Sequence, residues 1–212
     1  MKLVVGVSGA SGAPYAKRLL DFLAAGAGKS GVSVDLVFTR TGRRIWEHEI
    51  GAGPRYPFTV WDDEDLAAPF ASGSSLHDAM VVVPCSAAAL ARIAWGVSTD
   101  LVGRAADVML KERRRLVLVV RETPLSLVHA RAMAQAIEAG AVVMPASPSF
   151  YSGPRTVADL VDGVVARVLD QLGIPNDLAP RWKGTEGDPA PVPARARPRA
   201  PRKGSIRRRT RR

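Results

Sequence analysis

Five short runs of apolar and β-branched residues recur along the chain, and each predicts a buried strand. The runs span residues 2–8, 33–39, 79–84, 115–121 and 141–145. Apolar residues at helical spacing predict helices at 14–25, 41–49, 86–93, 101–110, 126–139 and 157–172. Residues 51–75 are rich in Pro, Gly and Asp and are predicted to be irregular. Strands that alternate with helices predict an α/β fold, in which a parallel sheet is covered by helices on both faces as a three-layer sandwich.

Charge divides the chain into two parts. Residues 181–212 hold 12 of the 30 Lys and Arg residues and 2 of the 20 Asp and Glu residues, so this segment carries the whole net charge of +10. We interpret residues 1–182 as the folded domain. Residues 183–212 are interpreted as a disordered basic tail, because their Pro, Ala, Gly and Arg residues offer too little apolar surface to offset the entropy of ordering.

The tail indicates an RNA- or DNA-binding module as one class of function, since its charge density would attract polyanions without sequence preference. However, it has no aromatic residue after Trp182 on which a base could stack. We therefore favour a solvated appendage that makes at most weak, non-specific contact with polyanions.

Few residues are suited to metal binding or disulfide formation. Cys85 is the only cysteine, and the three histidines, His48, His77 and His129, lie far apart, so no metal site is expected. The N-terminal segment lacks the long apolar stretch of a signal peptide, and no run of 18 apolar residues predicts a membrane span. The cytoplasm is the simplest location.

Residues that follow the predicted strands are the candidates for ligand binding, because the carboxyl ends of parallel strands share one edge of the sheet. The first strand ends in the small-residue loop GVSGASG at 6–12. Such a loop lets the backbone approach a ligand, and the helix after it offers unpaired N–H groups to an anion. The spacing differs from GxGxxG and from the GxxxxGK[ST] phosphate loop, and a tight strand–helix turn is the structural alternative.

Polar side chains also follow the later strands. Ser86 could cap the next helix or offer its hydroxyl and N–H to a ligand, whereas Cys85 is interpreted as a small buried residue rather than a nucleophile. Arg121 could hold a carbonyl or phosphate oxygen and Glu122 could act as acid or base, with a structural ion pair as the alternative. Tyr151 lies in a Pro-rich aromatic loop that would suit a lid over a ligand.

The segments VGVSGASGAPYAKRLL, VVVPCSAAALARIAWG, LKERRRLVLVVRETPL and GAVVMPASPSFY together resemble the UbiX/Pad1 family of flavin prenyltransferases. The resemblance covers residues 1–184. It implies a flavodoxin-like or Rossmann-like sheet and a homododecamer with sites between subunits. It also implies reduced FMN as prenyl acceptor and dimethylallyl phosphate as donor, without a metal. The product, prenylated FMN, would pass to a UbiD-type decarboxylase.

The resemblance also implies roles for individual residues. The implied flavin-binding residues are Gly9, Ala10, Ser11, Thr39, Ser86, Ala87, Ala88, Ala89 and Arg121. The implied catalytic residues are Ser11, Glu49, Lys111 and Glu122, and the implied donor-binding residues are Lys111, Tyr151 and Arg167. Ala89 stands where the family has Thr, which removes one hydroxyl from the flavin segment.

Two alternative flavoprotein functions stay open. An FMN-dependent cysteine decarboxylase would resemble this family in fold, but such enzymes usually carry a catalytic His after the second helix and a PxMNxxMW-type motif. This chain reads PASPSFY at 145–151, with no Asn or second Met. The other alternative is a protein that binds and delivers FMN without chemistry, which the loss of the hydroxyl at Ala89 keeps open.

Overall fold

The computed structural model describes residues 1–26 and 31–182. The chain divides into a compact unit, Met1–Pro180, and a second unit, Arg181–Arg212, of which only Arg181 and Trp182 are described. The predicted basic tail at 183–212 therefore lies outside the described residues.

The described residues form one parallel sheet of six strands. The strands are β1 (Lys2–Val7), β2 (Ser33–Phe38), β3 (Thr59–Asp62), β4 (Ala79–Cys85), β5 (Arg115–Val120) and β6 (Val142–Pro145). Their order across the sheet is β3-β2-β1-β4-β5-β6, and every neighbouring pair is parallel. This is the Rossmann order, in which the winding direction reverses between β1 and β4 and opens a crevice beyond their carboxyl ends.

Helices cover both faces of the sheet, as predicted. They are α1 (Ala13–Ala25), α2 (Arg40–Ile50), α3 (Ala87–Ala94), α4 (Leu101–Lys111), α5 (Leu127–Glu138) and α6 (Val157–Leu172). Side chains of α1 and α6 pack on one face in a cluster that includes Leu3, Val5 and Leu36. Side chains of α3, α4 and α5 pack on the other face with Val4 and Met80. Strands β1, β4 and β5 are apolar on both faces because both faces are covered.

The prediction that residues 51–75 are irregular is wrong at two places. The segment contains the edge strand β3 and a short 3₁₀ turn at Pro69–Ala71. Strand β3 is four residues long and largely exposed, so it lacks the apolar run by which the other strands were recognised. The Trp61 indole N–H donates to Asp35 Oδ1 of β2 at 2.7 Å and helps to hold this strand on the sheet.

Candidate functional site

A buried serine joins the ends of the two central strands at the crevice. The Ser8 hydroxyl donates to the carbonyl oxygen of Pro84 at 2.9 Å, and Ser8 Oγ accepts the Ser86 N–H at 2.8 Å. The Ser86 hydroxyl in turn accepts the Ala89 N–H at 3.2 Å and caps α3. The capping role predicted for Ser86 is confirmed, and its N–H group is already used within the protein.

The loop after β1 is shaped by contacts within the chain. A Cβ atom at Gly9 would lie 2.7 Å from Thr41 Cγ2, so a larger residue would displace the start of α2. Gly12 has a φ angle of +119°, a conformation that L side chains rarely adopt, and it leads directly into α1. Packing and backbone conformation within the chain therefore require small residues here, whether or not a ligand binds.

The anion at the start of α1 is the chain's own carboxylate. Glu49 Oε2 accepts the backbone N–H of Gly12 at 2.9 Å and that of Ala13 at 2.8 Å. The Ser11 hydroxyl also donates to the Glu49 carboxylate. The expectation that these N–H groups are open to a ligand anion is therefore wrong, because Glu49 satisfies them and complements the helix dipole.

Glu49 reaches this position because α2 stays at the carboxyl edge of the sheet. Thr39 caps the helix by accepting the Gly42 N–H at 3.0 Å. A Cβ atom at Gly42 would collide with the Val7 carbonyl oxygen, so α2 passes directly against the end of β1. Its last turn then presents Glu49 to the start of α1. The implied flavin-binding hydroxyl of Thr39 is thus part of a helix cap.

The surroundings of Glu49 favour its ionised form. Partial burial acts to raise the pKa of Glu49, but hydrogen bonds from Ser11, Gly12 and Ala13 and the charge of Arg121 outweigh it. The pKa is therefore lowered from its ordinary value. A carboxylate held in this way is suited to accept hydrogen bonds and to orient neighbouring groups, rather than to give up a proton near neutral pH.

Glu49, Ser11 and Arg121 line one cavity of about 490 Å³. Arg121 follows β5, and its backbone N–H donates to the Cys85 carbonyl oxygen at 3.1 Å. The wall is completed by Pro14, Tyr15, His48, Ala146, Val157 and Val161, together with Gly12. Three predicted site residues from separate parts of the sequence thus line the same cavity, where Glu49 interacts with both Ser11 and Arg121.

The apolar residues of this wall and two of its polar residues, Tyr15 and His48, were not predicted as site residues from the sequence. Tyr15 is one turn into α1, and its pKa is raised by burial, against the opposing charge of Arg121. His48 is exposed in the last turn of α2 beside Glu49. The one sequence feature that could have placed His48 at the site is its position next to Glu49. For Tyr15 the sequence offered only its helical spacing.

The remaining flavin-segment residues lie on the α3 side of the crevice. Ala87 and Ala89 are buried and Ala88 is exposed. Ala89 packs in the apolar cluster with Leu90 and Cys85, where a threonine hydroxyl would need a partner. Cys85 is fully buried, as predicted, and burial raises the pKa of its thiol to about 12.

Glu122 and Tyr151 lie on the surface of this chain, outside the cavity. Glu122 Oε1 accepts the backbone N–H of Thr123 at 3.0 Å, a local contact of the loop after β5. Tyr151 is exposed in the loop after β6. Both loops nevertheless leave the sheet at the carboxyl edge, on the same side as the cavity.

Lys111 and Arg167 are not brought to the cavity within one chain. Lys111 ends α4 just before β5 begins, at the amino edge of the sheet, and its ammonium lies 3.4 Å from Glu112 Oε1. Arg167 lies six residues beyond Val161, the last residue of α6 on the cavity wall, about 9 Å along the helix axis. Its guanidinium pairs with Asp170 at 2.8 Å.

Residues 1–26 and 31–182 contain no group of three or more His, Cys, Asp or Glu side chains placed to hold a metal ion. In the same part of the chain, no helix combines the length and apolar character needed to cross a membrane.

Comparison with known proteins gives close matches along most of the chain. A family model described as Flavoprotein matches residues 1–169. The flavin prenyltransferase UbiX of Thermoplasma acidophilum (strain ATCC 25905) is 44% identical over 186 residues, which cover 86% of this chain and all of that relative.

Solved structures agree with this match. A dodecameric FMN-dependent UbiX-like decarboxylase from Escherichia coli O157:H7 is 43% identical, with a TM-score of 0.82 over 87% of this chain and all of that one. AnUbiX (PadA1) in complex with FMN and dimethylallyl pyrophosphate is 40% identical, with a TM-score of 0.79 over 87% of this chain and 98% of that one.

The FMN-dependent cysteine decarboxylase TvaF is only 18% identical, with a TM-score of 0.57 over 82% of this chain and 98% of that one, and shares the fold alone. Sequence identity therefore separates the close matches from a wider set of flavoproteins with the same architecture. The chain belongs to the flavoprotein family and, within it, to the UbiX flavin prenyltransferases.

Proposed function

We propose that this protein is a flavin prenyltransferase that joins the dimethylallyl group of dimethylallyl phosphate to N5 and C6 of reduced FMN. The allylic C–O bond breaks and the phosphate leaves as the first prenyl carbon bonds to N5, which loses its proton. Protonation of the prenyl double bond then lets its tertiary carbon bond to C6, which loses a proton as the fourth ring closes. The identity to UbiX relatives supports this function, and AnUbiX is a relative whose structure holds both FMN and a dimethylallyl donor.

The observation that carries the proposal is the cavity in which Ser11, Glu49 and Arg121 meet. The Arg121 guanidinium forms no ion pair within the described part of the chain, so it is available to an oxygen of the flavin. Ser11 and Glu49 form a hydrogen-bonded pair beside it. The largely apolar remainder of the wall would keep water from the reacting allylic group.

These side chains differ in what they contribute. Glu49 is held as an anion, so it would orient Ser11 and the start of α1 and balance the charge of Arg121. The Ser11 hydroxyl is the group that would exchange a proton with the flavin. Glu122, at the carboxyl edge of the sheet, would act as the acid near the departing phosphate.

The cations that would bind the donor phosphate come, in this proposal, from other copies of the chain. Lys111 and Arg167 lie away from the cavity of their own chain, and the E. coli relative is dodecameric. Apolar side chains are exposed at the carboxyl edge, among them Leu127, Phe150 and Val157. A neighbouring copy in a homododecamer would cover these side chains and bring Tyr151, Lys111 and Arg167 to a shared site.

The proposal also covers the domain, the location and the recipient of the product. Residues 1–182 are the prenyltransferase domain, and residues 183–212 are an appendage that the reaction does not need. We place the reaction in the cytoplasm. The prenylated flavin would pass to a UbiD-type decarboxylase.

Specific observations bear on the two alternatives. His48 on the cavity wall is the residue on which an FMN-dependent decarboxylase would rely, because it carries the one imidazole among the lining residues. Ala89 lies in an apolar cluster and lacks the hydroxyl of the family's threonine, which could hold FMN. This loss is the feature that favours a protein that binds and delivers FMN without chemistry. Both alternatives bind FMN, so flavin binding alone does not separate them from prenyl transfer.

The product distinguishes the three functions. The protein is incubated anaerobically with reduced FMN and dimethylallyl phosphate, and the released flavin is analysed by mass spectrometry. The proposal predicts a flavin heavier by one dimethylallyl unit that replaces one hydrogen. Unmodified FMN together with decarboxylation of a cysteine-containing peptide would support the decarboxylase, and unmodified FMN with tight binding alone would support delivery.

A further inference from the structure

The side chain of Arg167 is held by its own helix. Arg167 Nη1 donates to Asp170 Oδ2 at 2.8 Å, one turn further along α6. The Arg167 side chain is 62% exposed, whereas that of Asp170 is only 17% exposed. One nitrogen of the guanidinium is therefore anchored on a largely buried carboxylate, while most of the Arg167 side chain remains exposed.

The second oxygen of Asp170 is held by a residue beyond the helix. Asn176 Nδ2 donates to Asp170 Oδ1 at 3.1 Å, and it also lies 3.3 Å from the carbonyl oxygens of Ala166 and Ile174. Gly173 ends α6 with a φ angle of +74°, which turns the chain so that Asn176 returns over the last helical turn.

From this chain of contacts we infer that Asp170 and Asn176 are positioning residues for the donor phosphate. They hold the Arg167 guanidinium in one orientation from which its free N–H groups can bind phosphate oxygens of the donor. The inference rests on the proposed function, because it takes the donor-binding role of Arg167 from that proposal.

The physical reason is preorganisation. A free arginine side chain samples many rotamers and loses that freedom when it binds an anion, which weakens binding. Asp170 removes part of this freedom in advance. Because Asp170 is itself held by Asn176, the orientation does not depend on the exposed side chain alone.

The test measures donor binding in a complex that cannot turn over. Dimethylallyl phosphate is titrated by calorimetry into the oligomer loaded with oxidised FMN, and KM and kcat are then measured with reduced FMN. In Asp170→Ala we expect the dissociation constant and KM to rise by about fivefold to tenfold, with kcat within about twofold of wild type. Asp170→Asn should show a smaller rise, because its amide oxygen can still accept from Arg167. Asn176→Ala should also weaken donor binding.

The matched control is Asp162→Ala on the same helix. Asp162 pairs with Arg18 of α1 and is similarly buried, so its loss removes an ion pair of α6 without touching Arg167. The control should lower the melting temperature but leave donor binding unchanged. Equal donor binding in Asp170→Ala and wild type, or an equal loss in the control, would overturn the inference. Weakened binding in Asp170→Ala without any product from the wild type would instead overturn the proposed function alone.

Discussion

Two carboxyl groups at the carboxyl edge of the sheet have pKa values that are shifted in opposite directions. Glu49 lies at the end of α2 beside β1, and Asp63 follows the edge strand β3. Both are partly buried, and burial acts to raise the pKa of each. The pKa of Glu49 is nevertheless lowered, whereas that of Asp63 is raised to about 6.

The difference lies in the neighbours of each group. Glu49 accepts hydrogen bonds from one hydroxyl and two backbone N–H groups, and Arg121 adds a positive charge. For Asp63, burial and the negative charge of Asp100 outweigh one backbone N–H bond from Val102 and the charge of Arg92. Asp63 is the more deeply buried of the two and has fewer donors, so burial prevails there. Glu49 stays an anion because the chain supplies donors, of which Ser11 and Gly12 also line the cavity.

The largest expected effect follows from removing the charge at Glu49. Glu49→Gln keeps an oxygen to accept the N–H groups of α1, but it loses the charge that balances Arg121 and orients Ser11. We expect kcat/KM for prenyl transfer to fall by about 100-fold, while the fold is retained. Steady-state kinetics with reduced FMN and dimethylallyl phosphate measure this change.

Glu47→Gln on the same helix is the control for that prediction. Glu47 is exposed and does not line the cavity of Glu49. Its substitution should leave kcat/KM within about twofold of wild type, as expected for a surface change away from the site. Equal activity of the Glu49 and Glu47 variants would contradict the role given to Glu49.

The contrast also shows what the sequence could predict of the fold. Strands such as β4 and β5 were predictable because they are buried on both faces and therefore apolar along their length. Strand β3 is exposed at the sheet edge and depends on pairing with β2 and on the bond from Trp61 to Asp35, which no local pattern reveals.

The candidate site was predictable in part. Family motifs implied Ser11, Glu49 and Arg121, and the folded chain brings these three together. Tyr15 and His48 could not be predicted, because their place on the wall depends on the path of α2 along the sheet edge. In the proposed oligomer, the positions of Lys111 and Arg167 relative to a donor would depend on contacts between copies, which the sequence of one chain does not specify.

A smaller effect, on stability rather than activity, is expected at Asp63. Its pKa rises from 3.8 to about 6 on folding, so the native state binds the proton more tightly and wild-type stability is lost as pH rises through this range. Asp63→Asn avoids that loss. After allowance for partial exposure, we expect it to be about 1 kcal/mol more stable than wild type at pH 8, with no such gain at pH 4.

Melting temperatures at pH 4 and pH 8, at one protein concentration, measure this difference. Glu138→Gln, at an exposed position on α5 that does not act on Asp63, is the control and should show little change in melting temperature at either pH. Glu49 should behave in the opposite way, since its lowered pKa stabilises the fold above about pH 4.5 and that contribution is lost on acidification. A stabilisation of Asp63→Asn that is the same at both pH values would argue against a protonated Asp63.

In the proposed homododecamer, each site combines the Glu49 cavity of one copy with the Lys111 of another. The most direct test mixes two inactive variants, Glu49→Gln and Lys111→Ala, by dissociating and reassembling their oligomers together. If sites form between copies, random mixing in equal amounts should restore about a quarter of wild-type prenyl transfer. About one site in four would then contain an intact Glu49 from one copy and an intact Lys111 from the other. Mixed oligomers that assemble but stay as inactive as either variant alone would contradict the shared site.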